Sequence, residues 1–199
     1  MDETRYRDRI GLLVEPGERV LAHAKADVGQ GLAPAPPPEP ESTAEPSRRT
    51  IGSVLLNVLL PLATWDRGDR LVDAIGWGIA GRGAPGTAAS RLHRALRPPR
   101  PDLQVRETLL AVTERRLLVC RTGGVKLLAG REAEERALAE TAVAWSAARG
   151  EIASARVGWH RLNPKRLRID FTDGSWLSFT VPIAESGRPL REVAAALSA

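Results

Sequence analysis

The chain has 199 residues, 43% hydrophobic and 27% charged, and its 29 basic and 24 acidic side chains give a net charge of +5. That apolar content supports a packed core, and the length fits one domain carrying a large insertion, or one and a half domains. The single cysteine, Cys120, excludes an intramolecular disulfide and leaves no cysteine spacing for a metal site.

The N-terminus, Met-Asp-Glu-Thr-Arg-Tyr-Arg, is charged and has no apolar core segment, so no signal peptide is expected and the protein is read as cytoplasmic. Residues 1–13 form an N-terminal helix or tail, with Thr4 as cap and Tyr6, Ile10 and Leu13 at helical spacing. Glu15-Pro16-Gly17-Glu18 makes a turn. Arg19–Lys25 alternates as a strand, with Val20, Ala22 and Ala24 on one face and Leu21 and His23 on the other. Residues 27–50 hold Pro34, Pro36, Pro37, Pro38, Pro40 and Pro46 among Ala, Glu and Ser. Such a stretch buries too little apolar surface to offset its ordering entropy, so an extended, disordered linker is expected.

Residues 51–103 read as an apolar and basic, mostly helical insertion. Ile51–Trp65 carries no charge. As a helix it would span about 22 Å, short of the ~30 Å of a hydrocarbon core, so it is no conventional membrane span. Its large aliphatics still need cover, from the protein's own core, a partner or a membrane interface. Leu55, Leu56, Leu59, Trp65 and Trp77 are the candidate apolar contacts. Gly76-Trp77-Gly78-Ile79-Ala80-Gly81 matches the dinucleotide-binding glycine pattern, but the residues before it have helical period and no acid follows before Asp102. It is read as close helix packing. Thr87 or Ser90 caps a short helix through Leu96, on which Arg91, Arg94 and Arg97 recur at every third position. These three are candidate contacts to an anionic surface.

Thr108–Thr122 holds two apolar runs around Thr113-Glu114-Arg115-Arg116 and predicts two antiparallel strands joined by a tight turn. In the second run Cys120 reads as a small buried hydrophobe. Val125–Ala129, Ala142–Ser146 and Ile152–Leu162 read as further strands, with a charged helix or loop over Arg131–Glu140. The last hairpin, Leu167–Val181, allows its register to be derived. A two-residue Asp173-Gly174 loop would put Leu167, Ile169 and Phe171 on the opposite face from Leu177, Phe179 and Val181. A three-residue loop, Thr172-Asp173-Gly174, pairs Phe171 with Ser175 and brings both triplets together. Pro182 ends the ladder, and Pro189 opens a helix with Leu190, Val193, Ala194 and Leu197 on one stripe.

Three stretches carry a family likeness: Glu15-Pro16-Gly17-Glu18-Arg19-Val20-Leu21, Thr108–Leu118, and Asp170-Phe171-Thr172-Asp173-Gly174-Ser175. With the closing helix, their order resembles the bacterial pleckstrin-homology-like and GRAM-like domains, over residues 14–26 and 104–199. The resemblance implies an α+β fold: a bent antiparallel sheet, or two near-orthogonal sheets, capped by the C-terminal helix and interrupted by the insertion. Residues 27–104 depart from that pattern.

Such folds bind lipids, peptides or proteins, so the expected function is a non-catalytic binding module. The preferred form is a peripheral adaptor at the inner face of the plasma membrane, or on a membrane protein, held by the apolar and basic insertion. The alternative is a protein-interaction or self-assembly scaffold without membrane contact, and the sequence sets no oligomeric state. Arg156, Arg161, Lys165, Arg166 and Arg168 are candidates for receiving an anionic ligand. His23, His93 and His160 pair in sequence with neither a nucleophile nor a carboxylate array. No catalytic, cofactor or metal site is therefore assigned. Nucleic acid is disfavoured as a partner, because no aromatic residues interleave with Arg97–Arg106.

Overall fold

A computed structural model describes residues 3–28, 32–33, 81–96, 104–126, 129–160, 163–181 and 185–199. The central hairpin explains its own composition. β6 (Thr108–Thr113) and β7 (Arg116–Arg121) lie in a four-stranded antiparallel sheet with β1 (Val20–Lys25) and β9 (Ala142–Ala148), in the order β1-β6-β7-β9. Leu110, Val112, Leu117 and Val119 face the main core. Leu109, Ala111, Leu118 and Cys120 face a second cluster with Tyr6 and Ile10 of helix α1 (Glu3–Gly11). A sheet buried on both faces reads as continuous apolar runs instead of alternation.

The second sheet runs β10 (Ile152–His160), β11 (Asn163–Phe171), β12 (Trp176–Thr180), β4 (Gly81–Arg82) and β3 (Leu32–Ala33), and the short β2 (Asp27–Val28) also pairs with β12. The chain therefore passes from one sheet to the other at Ala26: β1 pairs with β6, and β2 pairs with β12. Trp145 of β9 meets Phe171 of β11 edge to face, with ring centroids 5.7 Å apart, and joins the sheets across the core. The C-terminal helix α4 (Arg188–Ser198) buries Leu190, Val193 and Ala194 in that core and packs on β1 and β10. A two-stranded ribbon, β5 (Gln104–Val105) with β8 (Val125–Lys126), and helix α3 (Arg131–Ala139) are further elements. Of the expected Val125–Ala129 strand, Val125–Lys126 is strand, and residues 127 and 128 lie outside the described residues.

The β11–β12 register is the one expected. Phe171 N–H donates to the Ser175 carbonyl at 2.8 Å, and Leu167 and Ile169 face Phe179 and Leu177. Gly174 takes the left-handed conformation the three-residue loop requires, at φ +78°. The Val20 placement is corrected. An irregularity between Val20 and Ala22 shifts the register, so Ala22 and Ala24 enter the main core while Val20 packs with the Tyr6 and Ile10 cluster.

The insertion is also redrawn where it is described. Asp27–Val28 and Leu32–Ala33, expected within a linker, pair into the second sheet. Residues 81–96, expected as part of a separate insertion, join the main fold. Helix α2 (Ala88–Leu96) buries Ala88, Ala89 and Leu92 in the core shared by both sheets. Its first turn is capped from far away in sequence: Ala88 N–H donates to Asp173 Oδ2 at 2.7 Å and Ala89 N–H to Ser175 Oγ at 3.1 Å. The Thr87 hydroxyl, one of the two expected caps, instead donates to the Ala84 carbonyl, and Ser90, the other, lies within the helix. Burial works against ionisation of Asp173, but the Ser175 hydroxyl and the amides of Ala88 and Ser175 outweigh it and hold the carboxyl below its ordinary value. Asp173→Ala should cost about 1 kcal/mol in a urea melt, the usual value of a helix cap; an unchanged melt would deny the cap its role. β3 and β4 run parallel to each other on this sheet edge. The apolar stretch 51–65, the glycine pattern up to Ala80, and Leu55, Leu56, Leu59, Trp65, Trp77 and Arg97 lie outside the described residues.

Candidate binding site

The five basic residues expected to receive an anion do not form one site. Strand alternation and register put Arg156, Arg166 and Arg168 on the outer face of the second sheet, with Ser154, Asp170, Trp176 and Ser178. Lys165 turns to the opposite side and donates to the Glu185 carbonyl, before α4. Arg161 lies outside the described residues.

The outer face partly neutralises itself. Arg168 donates to Asp170 Oδ1 from Nε at 2.8 Å and from Nη2 at 2.5 Å, and its guanidinium stacks 4.2 Å from the centroid of Trp176. Arg156 reaches the same carboxylate at 4.0 Å, and the Ser154 hydroxyl donates to its Oδ2 at 2.9 Å. Arg166 is buried, with its guanidinium 5.7 Å from the same ring. Arg168 thus has its fork committed to a carboxylate and its flat face to an indole, which leaves it poorly placed to clamp a phosphate.

On α2, Arg91 and Arg94 are exposed on the side away from buried Ala88, Ala89 and Leu92. Arg91 approaches Glu151 at 3.7 Å, an exposed pair of small energetic weight. The helix therefore presents a basic side outward from a position fixed by the core.

A second constellation was not apparent in the sequence. Glu107, just before β6, accepts Tyr6 Oη at Oε2 (2.5 Å) and Lys25 Nζ at Oε1 (2.6 Å). Its backbone N–H donates to Thr122 Oγ1 at 2.9 Å, and Thr122 N–H returns a bond to the Glu107 carbonyl at 3.0 Å. Burial first, then the bond to Glu107, push the Tyr6 phenol far above its ordinary range, so it stays a proton donor. These residues come from α1, β1 and the open end of the β6–β7 hairpin. Their positions, 6, 25, 107 and 122, have no common spacing.

No family model matches this chain, and neither does any curated protein or solved structure. Chemistry is therefore read from the sites alone. Among the described residues no group of three or more His, Cys, Asp or Glu could hold a metal ion, and no helix is long and apolar enough to cross a membrane. His23 is half-buried on β1. Cys120 is fully buried, and burial pushes its thiol up to about 11, away from the thiolate that nucleophilic chemistry needs.

Proposed function

We propose that this chain is a non-catalytic binding module of pleckstrin-homology-like or GRAM-like architecture, acting as a peripheral adaptor at an anionic membrane surface. In that reading it works in the cytoplasm, at the inner face of the plasma membrane. The architectural part draws support from a chain that pairs with the first sheet through β1 and with the second through β2, and from a C-terminal helix packed on strands of both sheets. The observation that carries the functional part is α2: its apolar side is locked in the core while Arg91 and Arg94 face outward. Basic residues near an anionic leaflet contribute about 1 kcal/mol each. Two give about 2, against the ~8 of micromolar affinity, so the apolar stretch 51–65 would supply most of the remainder.

Because α2 belongs to the core, removing residues 51–97 would damage the fold, and a narrower change is required. Flotation with phosphatidylserine vesicles tests the reading on three proteins: intact, Arg91→Glu/Arg94→Glu, and one with 51–75 replaced by a Gly-Ser linker. The intact chain should float, the charge reversal should lose about tenfold or more in affinity, and the linker variant should remain in the soluble fraction. An intact protein that ignores anionic vesicles contradicts the membrane reading.

A further inference from the structure

We propose that the cleft between α1, α3 and the β5–β8 ribbon is a binding site for a small, largely apolar molecule carrying one hydroxyl group, of the phenol or fused-ring alcohol class. The cleft holds about 360 Å3, within the ~300–1,000 Å3 range of small-molecule sites. Tyr6, Val105, Val125, Ala137 and Leu138 contribute its apolar lining. Val105 is 47% exposed although it is a large aliphatic, so apolar surface is left open here.

The charged groups of Arg5, Lys126 and Glu134 also line the cleft, and with them the part-buried Glu107 carboxylate and the buried Thr122 hydroxyl. Each carboxylate oxygen accepts one bond, from Tyr6 or from Lys25, and each retains a further lone pair. Thr122 is 7% exposed, and its Oγ1 accepts from Glu107 N–H while its own hydrogen goes to no acceptor among the described residues. An acceptor with an unspent lone pair and a donor with an unspent hydrogen therefore line the same cleft. A hydroxyl satisfies both, donating to Glu107 and accepting from Thr122.

Charge selects against the alternatives. Beside Glu107, which Lys25 matches at 2.6 Å, an ammonium would meet a second cation and a carboxylate would face the Glu107 oxygens, while Arg5, Lys126 and Glu134 give the rest of the lining charges of both signs. A neutral ligand avoids both costs. The frame is fixed as well, since Gly123 N–H donates to the Ala137 carbonyl at 2.9 Å. A Cβ at Gly123, just after β7, would lie 2.9 Å from the Glu140 Cβ and 3.1 Å from the Ala137 Cα, so glycine lets the chain pass this close to the end of α3.

The test is an NMR titration of the full chain with 2-naphthol, naphthalene and 2-naphthoate, which share a ring system and differ in the polar group. Saturable shifts at Val125 and Ala137 are expected for 2-naphthol, with affinity at least about tenfold above the other two. Val105→Trp, at an exposed position, should fill the mouth and abolish binding while leaving the melting temperature in place. Thr122→Val should bring 2-naphthol down to the affinity of naphthalene without weakening naphthalene itself, a split that general destabilisation would not produce. Equal affinity for the three compounds, no saturable shift with 2-naphthol, or binding that survives Val105→Trp would overturn the proposal.

Discussion

Glu18→Ala should destabilise the protein by about 3 kcal/mol, through the charge-assisted hydrogen bonds lost by a buried carboxylate. Glu18 lies in the Glu15–Glu18 turn with its side chain fully buried. It accepts Thr113 Oγ1 at 2.5 Å, Arg116 Nε at 3.1 Å and Arg116 Nη2 at 2.8 Å, while Glu15 N–H donates to its Oε2 at 3.1 Å. Thr113 also accepts the backbone N–H of Arg116 at 3.0 Å across the β6–β7 turn. The entry to β1 is thereby locked to the tip of the central hairpin. Removing Glu18 leaves Arg116 only the more exposed Glu15, at 3.0 Å.

The same group makes the fold acid-sensitive in a defined window. The Arg116 bond lowers the Glu18 carboxyl from 4.5 to about 2, outweighing burial, with Thr113 and the Glu15 amide adding to it. A depressed folded value contributes stability that is complete above the unfolded value and is lost as pH falls toward the folded one. About 3 kcal/mol should therefore disappear between roughly pH 5 and pH 2. Glu18→Gln should flatten that acid limb in urea melts taken across the range; an acid limb as steep as the wild type's would assign the sensitivity to other carboxylates.

Leu92→Ala should cost about 2–5 kcal/mol, as for any fully buried leucine whose neighbours cannot collapse into the space. Leu12→Ala, at a position 75% exposed, should stay within about 0.5 kcal/mol. The contrast matters because α2 follows the long excursion 34–80 and reads in sequence as part of it. Urea denaturation of the two variants separates the cases: an α2 merely appended to the domain would make Leu92→Ala as mild as Leu12→Ala.

The hairpins were legible in the sequence because their information is local. Alternation on both sides of Asp173-Gly174 left one loop length that puts both apolar triplets on one face, and the structure has that length. The closing helix was legible for the same reason, from Pro189 and a single apolar stripe. The place of α2 was hidden because small residues, Ala88 and Ala89, do much of its packing, and its cap comes from a hairpin more than 80 positions away. The face of Val20 was misread because a register irregularity is invisible to strict alternation.

Of the sites, the arginine row was visible but its neutralisation was missed, although Arg168 and Asp170 stand two apart and must share a strand face. The Glu107 centre was not legible at all. A carboxylate, a phenol, an amine and a hydroxyl from four distant positions become a site only through the fold.

Native-state hydrogen exchange tests most directly the claim that β1, residues 81–96 and the C-terminal strands make one cooperative unit. Amides of β1, β6, α2 and β12 should lose protection together, at the same denaturant concentration and with the free energy of global unfolding. Amides of α2 or β1 that exchange freely while β6, β7, β11 and β12 remain protected would contradict it.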